Sequence, residues 1–427
     1  MSEHERIPPG YRDPRGRGFR SRSSVESVQM WIDSHVRTRG SEVVSLIDAA
    51  GRVLASELRA DRPVPSFDRA AMDGFAVRGE ETFGADLYSP MVLRVVGASR
   101  PGIGFLGHLG PGEAVFVATG APLPSGADAV VPVEASRPVD AAGLGDPRVE
   151  ITEPISPGRH VGRCGEDLRE GTVALAAGRR LRPQDLGLAS ALGLSRIPVV
   201  RRPTVTLLVT GDELLPAGSI SDGFRIADMN SPMIAALVAR DGGILTTDGP
   251  LPDDRDSLRN RLVEAASTSD FVLISGGSST GPEDHAPGLV AELGSLDHHG
   301  VALRPASPFG VGRVGDVPVF LLPGNPVSCL CAYDLFAGRA IRAAGGLRTE
   351  WPYRSVEGIL AAKLVSSLGR VDYTRVRYDG REVEPLATSG ASILSSTTRA
   401  DGFVLVPADS EGLAAGSLVK VWLYDRD

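Results

Sequence analysis

The chain has 427 residues, 42% hydrophobic and 23% charged, with 51 Gly and 32 Pro. That is too long for one ordinary core and has the make-up of a globular protein rich in turns and short strands, so two to four domains are expected. A net charge of −8 argues against nucleic acid as a partner, no apolar run is long enough to span a membrane, and Cys164, Cys329 and Cys331 form neither a disulfide framework nor a zinc pattern, so the cytoplasm is the default compartment.

Residues 1–24 carry six Arg against three acids, lack the apolar segment of a signal peptide, and read as a disordered basic tail. Residues 25–55 read as helical: Val25, Val28, Trp31, Ile32 and His35 fall near one face, and a second helix is expected over 46–58. Two prolines within 61–66 break that pattern. Short β-rich runs follow at 92–96, 114–118, 129–133 and 173–175, with a helix over 183–192. This N-terminal region, 25–202, is long enough for two lobes.

From 203 the texture changes. Apolar strands at 204–209, 244–247, 271–274, 301–303 and 317–322 alternate with helices over 230–240, 255–266 and 287–293, and with a long helix from Pro326. Asn230, Ser231 and Pro232 read as the cap of the first helix, and Asp253 with Asp254 as the cap of the second. Alternating strand and helix predicts a doubly wound parallel sheet over 203–348 with helices on both faces, whose ligands bind beyond the carboxyl ends of the strands. Residues 355–427 predict a small β-barrel or sandwich. The fold class is therefore multidomain, α/β plus β.

Several clusters carry chemistry. SGGSSTGPED (275–284) follows an apolar strand and packs glycines, hydroxyls and two carboxylates into ten residues. Glycines expose backbone N–H groups to an anion, whereas carboxylates repel one unless a cation bridges them. TGDEL (210–214) also ends a strand, where acids hold Mg2+ or a ribose hydroxyl. LLPGNPVS (321–328) leads a strand into a helix and is readable as an anion site or as a plain connection. PSFDRAAMDGFAVR (65–78), ATGAPLPSGAD (118–128) and GRCGED (162–167) each read more readily as surface turns than as sites when taken alone. No Ser–His–acid or Cys–His arrangement can be assembled. Taken by themselves, the residues point to a phosphate-bearing ligand, a hard divalent cation, and transfer or hydrolysis at an anionic centre.

In order and spacing, FDRAAMDGFAVR, TGAPLP, GEDL, TGDEL, SGGSSTGPED and LLPGNPVS resemble the molybdopterin molybdenumtransferases (MoeA, and the E domain of gephyrin) over about 25–422. The resemblance implies two interleaved N-terminal lobes, a MogA-like α/β domain, a C-terminal β domain and a homodimer. It implies a transferase of molybdenum cofactor biosynthesis that inserts molybdate, or tungstate, into adenylylated molybdopterin with Mg2+ and releases AMP. Carried over by motif, Asp73, Asp167, Glu213, Asp253 and Asp284 are catalytic positions, with Glu213 and Asp284 toward the metal. Thr119, Gly276, Gly277, Ser279, Arg304, Pro323 and Pro326 are substrate-binding positions, the glycines and Ser279 cradling the pterin phosphate.

The chain departs from the family pattern at several places. GVALRPASPFG (300–310) keeps Arg304 but has Gly300 and Ser307 where the family carries lysines, and the basic cluster before GED is thinned to Gly162, Arg163 and Cys164. A paralogue that binds molybdopterin or a partner enzyme without turnover is the competing expectation, and a hydrolase using only the α/β domain is a third.

Overall fold

The computed structural model describes residues 19, 21–139, 146–277, 284–387 and 390–424. The chain forms two compact units, 43–197 on one hand and 1–42 with 198–427 on the other.

Within 43–197, strands β1 (Gly74–Val77), β2 (Met91–Ser99), β3 (Glu113–Val117), β4 (Ala129–Pro132), β5 (Ser136–Val139) and β6 (Arg148–Ile151) form one sheet in the order β4-β1-β3-β2-β6-β5. Both faces are buried. Phe75, Val77, Ala129 and Val131 pack on one side, and Ala76, Val115, Val117 and Val130 on the other. Two short strand pairs, Arg69–Ala70 with Val161–Gly162 and Leu58–Arg59 with Val173–Leu175, bring together segments about a hundred residues apart. The helix expected over 183–192 forms as α2 (Pro183–Ala191), but the one expected over 46–58 does not. Ser45 Oγ donates to the Asp48 carboxylate at 2.6 Å, a local side-chain bond that competes with helix. Gly51 turns at φ +71°, and Leu54 then donates to the Arg179 carbonyl at 2.9 Å.

The other unit begins with α1 (Val25–His35), capped by Ser24 Oγ accepting from Ser27 N at 3.1 Å. Val25, Val28, Trp31 and Ile32 line its buried face and share a core with Val301, Phe336 and Ala340. Strands β7 (Thr204–Thr210), β8 (Ile244–Leu251), β9 (Phe271–Ser275), β10 (Gly294–His299), β11 (Gly310–Val314) and β12 (Val317–Leu322) form a sheet in the order β8-β7-β9-β12-β11-β10. The first four are parallel, and β11 and β10 complete the sheet antiparallel.

Period-two alternation places Val205, Leu207, Phe271, Leu273, Phe320 and Leu322 on one face, against α3 (Asn230–Arg240) and the helical run α6 (Pro326–Ala332) to α7 (Gly338–Ala344). Leu208, Val272, Ile274, Val319 and Leu321 pack on the other, against α4 (Arg255–Thr268) and α5 (Ala286–Leu293). Helices therefore cover both faces, as the pattern required. The expected strand over 301–303 is only Leu303–Arg304, and it pairs with the C-terminal strands instead of this sheet. α4 is capped by Asp254 accepting from Ser257 N at 2.7 Å, as read. α3 is capped from two residues further out than expected: Asp228 Oδ1 accepts from Asn230 N at 2.9 Å and Ser231 N at 3.1 Å.

Strands β13 (Arg354–Leu360), β14 (Val371–Tyr378), β15 (Glu382–Ala387), β16 (Gly402–Val406) and β17 (Leu418–Leu423) pair in the order β14-β15-β13-β17-β16, and β14 also pairs with β16. The result is a closed five-stranded barrel around Leu360, Val376, Val383, Val404, Val406 and Val421.

Candidate active site

A cavity of about 500 Å³ lies beyond the carboxyl ends of β7, β9 and β12. Glu213 enters from the loop after β7, and Asp253 from the loop after β8. Gly276, Gly277 and Asp284 follow β9, and Pro323 and Pro326 follow β12. These sequence-predicted positions are thus brought to one place. Ser279 lies outside the described residues.

Backbone constraints explain the loop sequences. Gly276 sits at φ +97°, and a Cβ there would stand 2.3 Å from the Thr210 carbonyl oxygen, so only glycine fits where β9 ends against β7. Asp212 and Asp253 each accept the other's backbone N–H, at 3.1 and 3.2 Å, which ties the β7 and β8 loops together.

Three further polar residues shape the floor. Asn230 Nδ2 donates to Ser275 Oγ at 2.9 Å and to the Gly324 carbonyl at 2.8 Å, joining the ends of β9 and β12. The carbonyl can only accept, which fixes the orientation of the amide. Asn230 Oδ1 and Thr210 Oγ1 are both buried without a partner among the described residues. Leaving such a group unpaired costs about 1–3 kcal/mol, so both are poised to take a ligand hydrogen bond. Asp228 and Ser392 went unread, Thr210 was read only as part of TGDEL and Asn230 only as a helix cap, yet all four line the cavity. An Asp-x-Asn triplet entering a helix was the available signal for two of them. Burial pushes the neighbouring Cys329 thiol up to about 12, which leaves it an inert core group.

The electrostatics are one-sided. Glu213, Asp228, Asp253 and Asp284 line the cavity, and no Lys, Arg or His is among its described lining residues. Arg304 does not line it. Its guanidinium pairs with the fully buried Asp372 of β14, which also accepts from Ser366 Oγ at 2.7 Å. At the two positions where lysines were missed, the N-terminal segment closes in. Phe19 stands over Gly300, where a Cβ would meet its ring at 2.5 Å, and Arg22 Nε donates to Ser307 Oγ at 2.8 Å.

In the unit 43–197 the other predicted motifs converge. Asp73 Oδ1 accepts from Thr119 N at 2.6 Å and Thr119 Oγ1 at 2.8 Å, chiefly the backbone bond holding this carboxyl below the usual carboxylate range. Asp68 accepts from Cys164 N at 2.7 Å and Arg163 Nη1 at 2.8 Å and is likewise lowered, first by the Cys164 backbone bond. Glu166 takes Arg69 at 2.8 Å, and Asp167 donates its N–H to the Val64 carbonyl at 3.1 Å. Backbone bonds from Ala71 to His160 and from Gly120 to Ala70, at 2.9 and 2.8 Å, stitch the three loops together.

The chain matches the MoeA N-terminal region (domain I and II) over 23–193, a probable molybdopterin binding domain over 206–343, and the MoeA C-terminal region (domain IV) over 357–424. It is 35% identical to molybdopterin molybdenumtransferase 2 of Mycobacterium tuberculosis, covering 93% of this chain and 99% of that protein. It is 31% identical to the molybdopterin molybdenumtransferase of Bacillus subtilis, covering 92% of each. The crystal structure of a MoeA protein from Pyrococcus horikoshii superposes with a TM-score of 0.81 at 33% identity, over 95% of this chain and all of that one. Matched over three successive regions that span most of its length, and 35% identical to a molybdopterin molybdenumtransferase over 93% of this chain, the chain belongs to the molybdopterin molybdenumtransferase (MoeA) family.

Proposed function

We propose that this protein is a transferase of molybdenum cofactor biosynthesis that inserts molybdate into adenylylated molybdopterin and releases AMP, with Mg2+ as its metal ion. The observation that carries the reading is the acid-rich cavity at the sheet ends. Glu213, Asp253 and Asp284 face a space bounded by Gly276, Gly277, Pro323 and Pro326, with two unsatisfied buried oxygens on its floor.

An all-oxygen donor set suits a hard divalent ion. Glu213 and Asp284 would hold it. Among the described residues no three His, Cys, Asp or Glu side chains gather closely enough to hold a metal unaided, so ligand oxygens and water would complete its shell. When bound, Mg2+ would neutralise the phosphate and polarise the phosphoryl group to be cleaved. The protein's own part is positioning. The tight Gly276 turn lets the ligand approach backbone, Thr210 Oγ1 and Asn230 Oδ1 take hydrogen bonds from it, and Pro323 and Pro326 fix the facing wall. Asp73, Thr119 and Asp167 are assigned to the same reaction on the family motifs they occupy. A homodimer in the cytoplasm is the proposed working form, in keeping with three free thiols.

The test is direct. Purified protein incubated with adenylylated molybdopterin, molybdate and Mg2+ releases AMP, and a chelator stops the release. Tungstate run in parallel reads the oxyanion preference. Binding of the pterin with no AMP formed would instead assign the chain a carrier or scaffold role.

A further inference from the structure

The cavity presents four carboxylates and, among its described lining residues, no cation. A divalent ion offsets two of those charges, so an anionic ligand still meets net repulsion. The N-terminal arm brings a cation onto the loop that supplies Pro308 to the cavity wall. We propose that Arg22, carried on that arm, supplies the positive charge with which this site holds an anionic ligand. The proposal rests on the phosphate-bearing substrate read above.

The arm is anchored on both sides. Ser24 caps α1, and Ser23 N donates to the Gly300 carbonyl at 3.0 Å while the Ser23 carbonyl accepts from Ala302 N at 2.9 Å. Ser23 Oγ and His298 Nδ1 are 2.8 Å apart. Phe19 packs edge-on against His299 with centroids 5.0 Å apart, in the space that Gly300 leaves open. These contacts bring Arg22 Nε to 2.8 Å from Ser307 Oγ. Ser307 is bonded in sequence to Pro308, which lines the cavity, and adjacent Cα atoms are about 3.8 Å apart. The guanidinium is thus held against the loop that carries Pro308 into the cavity wall. A guanidinium carries five N–H donors, so the single bond to Ser307 does not use up its capacity to reach a ligand oxygen.

The test separates charge from scaffolding. Arg22→Gln keeps an N–H donor for Ser307 and removes the charge. AMP with Mg2+ is titrated calorimetrically into the full chain at low and at physiological salt. Arg22→Gln is expected to weaken AMP binding about tenfold at low salt, less at high salt, with an unchanged denaturation midpoint. Arg22→Lys stays within about twofold, and adding Ser307→Lys to Arg22→Gln recovers most of the loss, because the charge returns to the same loop.

If Arg22→Gln binds AMP as well as the unaltered chain does, the arm's role is overturned and the reading of the cavity stands. A loss that Ser307→Lys does not recover also overturns it, since the defect is then structural. Failure of the unaltered chain to bind AMP would overturn both.

Discussion

Arg240 donates from Nη2 to Asp334 at 2.9 Å, and Asp334 is completely buried. Tyr353, just ahead of the barrel, donates to the same carboxylate at 2.8 Å, and Asp241 and Arg342 extend the network. Removing one partner strands a buried charge. Asp334→Ala is expected to lose about 3 kcal/mol of stability, read as a lower urea midpoint. An Arg240→Met, Asp334→Leu double replacement is expected to recover much of that loss; a double variant as unstable as the single one would refute it.

Glu213→Ala is expected to lower AMP release by at least about a hundredfold while leaving the denaturation midpoint within about 0.5 kcal/mol, because Glu213 faces the cavity and its removal disturbs no core. Single-turnover assays with matched denaturation curves check this. Unchanged turnover would remove Glu213 from the site.

Thr210→Val replaces a buried hydroxyl, unpaired among the described residues, with a methyl of the same shape. Stability is expected to stay level or rise by up to about 1 kcal/mol, while the KM for the pterin rises. The two changes run in opposite directions, which a purely structural role for Thr210 cannot produce.

Burial lowers the His298 pKa below its ordinary value, with nearby Asp297 opposing the shift. The folded protein therefore prefers the neutral ring. Its contribution is fully present above about pH 6.5 and is lost as the pH falls through the lower folded value, because the unfolded chain takes up the proton first. Melting curves from pH 8 to pH 5 are expected to show this slope, and His298→Gln to flatten it.

What could be read from sequence was whatever is written locally. The face Val25, Val28, Trp31, Ile32 gave α1, and the unbroken apolar runs before Thr210 and Ser275 gave the central strands. β10 and β11, the antiparallel pair at one end of the sheet, escaped because GSLDHH and GVGRV carry no continuous apolar run, and antiparallel strands do not need one. The loops of the site were legible as motifs. Their mutual ties were not, since Asn230 reaches Ser275 and Gly324 across 45 and 94 residues. Arg304 looked like a substrate cation because nothing near it in sequence announces Asp372, its partner 68 residues on.

One wall of the cavity comes from the barrel: Ser392 lines it, and Val327 at the start of α6 donates its N–H to the Ala391 carbonyl at 3.0 Å. Protein synthesis is vectorial and domains fold largely as they emerge. On the ribosome, therefore, the α/β sheet can be complete while its pocket still gapes. Ser392 joins the site only when the barrel segment arrives, so a nascent or truncated chain holds the acidic floor with that side open.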